Sequence, residues 1–280
     1  MISMNNSIKK ILYLGPSGSY SQIAMETFKQ KAGLNAKSED ITTITGVIKQ
    51  TDKEDNTIAV LPIENSIEGI VRETIDKLIT TKDEVKIQAE LTIPICHCLI
   101  SKGKIEDIQN IVSMPQALSQ CQTYIANNFK NNINVGSASS TSAATSMLDG
   151  KDETWASIAN EFCANLYSKK VLDKNINDVK DNKTRFIVLS KIDLGLGEKV
   201  RTSIAFSTKN ESGRLLKVLE VFYRHNLNMI YLESRPSKKV FGEYIFFADI
   251  DKGYDEIAHT LDDIKQKCEY FRLLGSYGAI

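Results

Sequence analysis

Short apolar runs that end in small hydroxyl or amide residues, each followed by helical spacing, recur along the first two thirds of the chain. Ile8 to Gly15 reads as a buried strand ending in Gly15-Pro16-Ser17-Gly18-Ser19-Tyr20-Ser21; helical periodicity follows from Ile23 to Lys31, with Gly33 as its stop. Ile58 to Leu61 repeats the theme, running into Pro62-Ile63-Glu64-Asn65-Ser66 and a helix from about Ile70 to Leu78. Leu91 to Ile100 reads as one long strand interrupted by Pro94. Ile111 to Ser113 is another, opening through Met114 and Pro115 into a helix on which Gln116 and Gln120 share a face. Ile133 to Ser137 leads into the Ser/Thr-rich stretch Ala138 to Ala144 and a helix to Leu148, and Trp155 to Ala159 precedes a helix through Tyr167. Strand followed by helix, repeated in two series, predicts parallel α/β structure in two lobes around a cleft, with the strand-to-helix turns at its rim.

The next apolar run, Ile187-Val188-Leu189, is preceded by Asp181-Asn182-Lys183-Thr184-Arg185-Phe186. Because alternate strand residues share a face, Thr184 and Phe186 are expected together and Arg185 opposite. The run is expected to return to the first lobe, so the stretch before it crosses the hinge. After a linker at Gly195 to Lys199 the periodicity gives strand, helix, two strands, helix, strand: a ferredoxin-like βαββαβ unit, whose open edges suit pairing with a second copy.

Length and charge narrow the function. The 280 residues suit about two domains. Lys+Arg 35 balance Asp+Glu 35, which argues against a nucleic-acid or membrane surface and leaves any anionic ligand to a local site. No apolar run approaches the roughly 20 residues that span a bilayer, Met1 to Lys10 lacks the apolar core of a signal peptide, and five cysteines fit no disulfide framework; the expected compartment is the cytoplasm. Cys96-His97-Cys98 has the look of a metal fragment, but no second ligand pair follows it, and buried thiols in a strand are the alternative. The Ser/Gly turns put helix N-termini where an anion can sit, so Ser19, Ser21, Ser140 and Thr141 are candidate contacts for carboxylates.

Taken together and in order, Gly15 to Ser21, Pro62 to Ser66 with Gly69, Pro115-Gln116-Ala117-Leu118 with Gln120-Cys121, Ser140-Thr141 with Ala143-Ala144, Asn182 to Phe186, and Glu233-Ser234-Arg235-Pro236 resemble the prephenate dehydratase family in its monofunctional form with a C-terminal ACT domain. The resemblance runs from Leu14 to Tyr277. It implies an α/β fold: a two-lobed, periplasmic-binding-protein-like catalytic domain over 1–192 (lobes 8–84 with 180–192, and 85–179) and a ferredoxin-like ACT domain over 200–280. It implies Asn65, Ser113, Gln120, Thr184 and Phe186 at the substrate site. For the ACT part it implies feedback by L-phenylalanine between two copies of a homodimer or homotetramer, with Asn210, Ser212, Gly213 and Leu215 on one side and Glu233, Ser234, Arg235 and Pro236 alongside. Two positions depart from the family pattern. Met114 stands where His is usual, and Ser212-Gly213-Arg214-Leu215 stands for Pro-Gly-Ala-Leu.

The implied reaction removes a ring hydroxyl as water and a ring carboxylate as carbon dioxide. Aromatisation supplies driving force, so orientation, help for the leaving hydroxyl and desolvation suffice, with no metal, nucleotide cofactor or covalent intermediate required. Thr184 is the expected donor to that hydroxyl, oriented with Asn65 and Gln120; Glu64 is an alternative acid, or a cap on the following helix. Phe186 is the expected apolar wall, and Arg185 either contacts substrate or forms an ion pair across the hinge. Arogenate dehydration and a non-catalytic amino-acid sensor are the competing functions.

Overall fold

The computed structural model describes residues 8–81, 84–129, 133–238 and 242–280, which form two sheets. The first begins with parallel strands β1 (Lys10–Leu14), β2 (Lys37–Ile41) and β3 (Thr57–Asn65) in the order β2-β1-β3. Helix α1 (Tyr20–Lys31) covers one face with Ala24, Met25 and Phe28; α2 (Ile44–Lys53) and α3 (Arg72–Thr80) cover the other with Val47, Ile48, Ile75 and Leu78. Burial on both faces is why β3 carries an unbroken apolar run. The periodicity missed β2 and α2, since the edge strand Lys37-Ser38-Glu39-Asp40-Ile41 has no apolar alternation. A short strand β4 (Gly69–Ile70) folds back on the end of β3.

The run Leu91 to Ile100 is not one strand. It divides into β5 (Lys86–Pro94), which joins the first sheet, and β6 (Cys98–Ser101), which opens the second. The lobe boundary therefore lies at 95–97 and not at 85: β5 pairs along its length with β11 (Lys183–Ser190), and Pro94, without an N–H, closes that pairing. As expected, β11 returns to the first lobe; it lies antiparallel between β3 and β5. The second sheet has the order β10-β6-β9-β7-β8, with β7 (Asn110–Ser113), β8 (Asn134–Ser137), β9 (Trp155–Ala159) and β10 (Lys170–Lys174). Its helices are α4 (Pro115–Ser119), α5 (Gln122–Asn128), α6 (Thr141–Met147) and α7 (Glu161–Leu166).

After the turn-rich linker come β12 (Arg201–Ser207), α8 (Arg214–Arg224), β13 (Met229–Pro236), β14 (Tyr244–Ile250), α9 (Tyr254–Lys267) and β15 (Tyr270–Tyr277), the expected βαββαβ order. Both helices lie on one face of its antiparallel sheet β13-β14-β12-β15, Val218, Phe222, Leu261 and Ile264 packing on Ile204, Phe206 and Ile250. The opposite face is not left to solvent: Ala205, Phe247, Leu274 and Tyr277 share a core with Ile75, Leu78 and Ile79 of the first lobe. β15 also adds in parallel to β5 at Gly275 and Ile87, making one continuous sheet. Gly275 permits the approach, because a Cβ there would overlap the backbone of Ile87. One sheet edge of this unit is therefore used within the chain, and among the described residues β13 has no strand on its outer side.

Candidate active site

Two crossings join the lobes, 95–97 and 175–182, and they are tied to each other. Ile95 N–H donates to Asn182 O at 2.8 Å, Asn177 Nδ2 to Ile95 O at 3.0 Å, and His97 N–H to Asn177 Oδ1 at 2.6 Å. Beside this hinge a cleft of about 780 Å³ opens between the lobes. Its wall takes Ser19, Tyr20 and Ser21 from the start of α1, Asn65 from β3, His97 from the hinge, Met114, Gln116 and Gln120 around α4, Ser140 and Thr141 at the start of α6, and Thr184 and Phe186 from β11. Four of the polar turns seen in the sequence thus meet, because each ends a strand on the same side of its sheet. Among the described residues of this wall none is Lys or Arg, and Asp40 is its one carboxylate; hydroxyls, amides and helix N-termini supply the rest of its polar surface.

Thr184 and Phe186 both reach the cleft, as alternation requires, and Phe186 is 1% exposed. Thr184 faces Asn65 across the β11–β3 pairing. The Asn65 amide has a determined direction: its Oδ1 accepts from the backbone N–H of Ile67 and Glu68, both at 3.0 Å, so its Nδ2 is the donor, with Asn182 Oδ1 at 2.8 Å, Thr184 Oγ1 at 3.0 Å and Lys183 O at 3.1 Å as its acceptors. Asn182 Nδ2 then donates to Gln120 Oε1 at 3.0 Å. Since the Thr184 oxygen accepts from Asn65, its own proton remains for the cleft. Ser19 and Ser140 spend their hydroxyl oxygens accepting from Gln22 N–H and Ala143 N–H as helix caps.

A family model of prephenate dehydratase matches residues 11–193, and one of the ACT domain residues 202–269. The chain belongs to the prephenate dehydratase family. Over 273 residues it is 37% identical to the prephenate dehydratase of Methanocaldococcus jannaschii, covering 96% of this chain and 98% of the relative. It is 36% identical over 280 residues to the bifunctional chorismate mutase/prephenate dehydratase of Aquifex aeolicus, covering 99% and 75% respectively. The structure of a prephenate dehydratase from Arthrobacter aurescens in complex with L-Phe superposes with a TM-score of 0.85 at 28% identity, over 96% of this chain and 90% of that one. The chain thus carries the dehydratase unit of that family followed by an ACT unit.

Three residues expected at a prephenate dehydratase site stand elsewhere. Ser113 is fully buried and donates its hydroxyl to Ile158 O at 2.6 Å, inside the second sheet and off the cleft wall. Glu64 and Arg185 point to the opposite face from Thr184. Arg185 Nε meets Glu64 Oε2 at 3.1 Å, and its Nη1 meets Glu90 Oε2 at 3.1 Å and Asp249 Oδ2 at 2.8 Å. Burial alone would lower the Arg185 pKa, but Asp249, Tyr277 and Glu90 around it outweigh that and keep it charged. The ion pair is therefore not across the lobe hinge: it ties β11 to β3, β5 and the ACT strand β14.

The sequence reading passed over His97, Asn182 and Tyr20. Asn182 lay in the matched stretch without a role, and His97 was hidden between two cysteines. Cys96 is exposed and Cys98 buried, and no group of three or more His, Cys, Asp or Glu among the described residues is placed to hold a metal ion. In the ACT unit a second cavity, about 350 Å³, is lined by Asn210, Gly213 and Leu215 with Leu216, Tyr244 and Phe246. Ser212, Glu233, Ser234, Arg235 and Pro236 are not on its wall. Arg235 instead forks onto Asp76 of α3, at 2.7 and 3.2 Å, and Arg214 pairs at 2.6 Å with Glu211, which is on the cavity wall.

Proposed function

We propose that prephenate is turned over in the interlobe cleft with Thr184 donating to the departing ring hydroxyl. The observation that carries this is the direction of the Asn65 amide, which leaves the Thr184 proton as the free donor beside the buried Phe186. The C–O bond breaks as the electron pair of the ring carbon–carboxylate bond moves into the ring. Carbon dioxide departs, the hydroxide takes up a proton to leave as water, and the dianionic substrate becomes monoanionic phenylpyruvate. A threonine is a weak acid, so Thr184 stabilises the charge that develops on the leaving oxygen, and solvent makes good the proton. Phe186 disfavours a hydrated ring carboxylate and so favours its loss. Tyr20, Ser21, Ser140 and Thr141 bound the space for the carboxylates, and Gln120 orients the ring or its hydroxyl.

Replacing Thr184 by Ala lowers kcat by roughly 10² to 10⁴, the range for a lost general-acid or oxyanion donor, with the fold unchanged by circular dichroism. Thr184→Ser keeps most of the rate. Near wild-type phenylpyruvate formation by the alanine variant removes Thr184 from this role. Met114, at the cleft wall with no proton to give, is compatible with turnover on this reading. L-Phenylalanine is the proposed effector, its carboxylate meeting the Asn210 to Gly213 turn, and Glu233 to Pro236 of a second copy completing the site. The homo-oligomer this requires would form through the free β13 edge, where Ile230 and Leu232 are exposed. The five free thiols suit the cytoplasm.

A further inference from the structure

We propose that His97 is a positioning residue of the dehydration site: its Nε2–H holds the carbonyl of Gln120 and so anchors the far end of the amide relay that reaches Thr184. This rests on the Thr184 reading above and extends it across the hinge. The relay has a known starting point, because two backbone N–H groups, of Ile67 and Glu68, can only donate and so make Asn65 Oδ1 the acceptor. Asn65 Nδ2 must then donate to Asn182 Oδ1, and Asn182 Nδ2 to Gln120 Oε1. Gln120 Oε1, already an acceptor, lies 3.2 Å from His97 Nε2, and only a protonated nitrogen can bond there. Gln120 Nε2 is thereby turned to Glu68 Oε1 at 3.3 Å.

The rest of the imidazole is fixed by the hinge. His97 N–H donates to Asn177 Oδ1, and His97 O accepts from Ile176 N–H at 3.0 Å, so both crossings clamp its backbone. The ring meets Tyr20 edge-on at 5.9 Å between centroids; the Tyr20 hydroxyl donates to Cys96 O at 2.7 Å, and its contact with His97 Nδ1, at 3.5 Å, is the longer of the two ring contacts, against 3.2 Å from Nε2 to Gln120. His97 is 3% exposed, with burial holding its pKa below the usual value, so the ring stays neutral and carries one proton. That proton is committed to Gln120 of the second lobe, while Asn182, Asn65 and Thr184 belong to the first lobe and its border. The relay is therefore complete only when the lobes stand as they do here.

Steady-state turnover of prephenate by full-length His97→Leu, His97→Gln, Gln120→Leu and the His97→Leu/Gln120→Leu double variant tests this. His97→Leu is expected to lower kcat roughly ten-fold with KM within about two-fold, as loss of one hydrogen bond that orients Gln120 would. His97→Gln, which keeps a donor at the Nε2 position, recovers most of the rate. The double variant is no slower than Gln120→Leu alone. Among the three histidines, ¹⁵N NMR of the wild type at neutral pH shows His97 as the Nε2–H tautomer. Wild-type kcat in His97→Leu, no recovery in His97→Gln, additive losses in the double variant, or an Nδ1–H tautomer each overturns the proposal. A wild type that does not turn over prephenate would instead sink the dehydration reading, while the tautomer measurement still decides the relay.

Discussion

Asn65 shows how one side chain couples a local turn to a distant strand. Its Oδ1 is spent on the turn at Ile67 and Glu68, a contact between near neighbours, and its Nδ2 is spent on Asn182 and Thr184, more than a hundred residues away in sequence. Asn65→Asp keeps the shape and both backbone bonds but puts an acceptor where Thr184 and Asn182 each need a donor. It also adds a negative charge beside a dianionic substrate. The expected result is a fall in kcat of about 10²-fold or more, with a melting temperature close to wild type, measured by phenylpyruvate formation and calorimetry. A variant retaining more than half the rate would show that the Asn65 donor does not orient Thr184. The chemical type of Asn65 and Thr184 was legible in the sequence; the direction of their hydrogen bonds was not. Ser113 is the counterexample, since its position at a strand end looked equivalent, yet its hydroxyl points into the sheet.

Between elements, the contacts that matter are those joining the ACT unit to the first lobe. Asp76 on α3 receives Arg235 from the end of β13 and Lys238 just beyond it, at 2.6 Å. Burial alone would raise the Asp76 pKa, but the hydrogen bonds from these two cations outweigh it and hold it below the ordinary 3.8. A carboxylate whose pKa is lower folded than unfolded contributes stability that is full above the unfolded value and lost as the pH falls through the folded one. The stability gap between wild type and Asp76→Asn, read from urea midpoints, should therefore be constant from pH 5 to 7 and close below about pH 3.8. A gap independent of pH would show that the tie is not electrostatic. Helices and strands were legible wherever the hydrophobic period was unbroken, as in β15, the last strand of the expected βαββαβ order. The run from Leu91 to Ile100 misled because apolar strands of two different sheets follow one another across a hinge of three residues.

At the level of the whole molecule, one sheet runs from the ACT edge at β13 to the catalytic edge at β2. β14 carries Tyr244 and Phe246 on the wall of the ACT cavity and, further along, Asp249 against Arg185, the residue next to Thr184. An effector that shifts β14 thus has a short, charged path to the catalytic strand. L-Phenylalanine is expected to bind the oligomer with one site per chain by calorimetry and to lower turnover of prephenate. Light scattering is expected to show at least a dimer. Absence of heat at millimolar phenylalanine, or a monomer that is still inhibited, would exclude an effector site shared between copies.

By itself the sequence determined the alternation of strands and helices, the two-lobed and βαββαβ parts, the family, and the shared face of Thr184 and Phe186. All of these follow from periodicity and from short motifs that are local in the chain. The tertiary structure decided where Arg185 and Ser113 point, that β5 belongs to the first lobe, that the ACT sheet fuses with the catalytic one, and that His97 stands behind Gln120. Those depend on which distant groups satisfy a buried charge or donor, and a buried polar atom takes its partner from whatever the fold brings within about 3 Å.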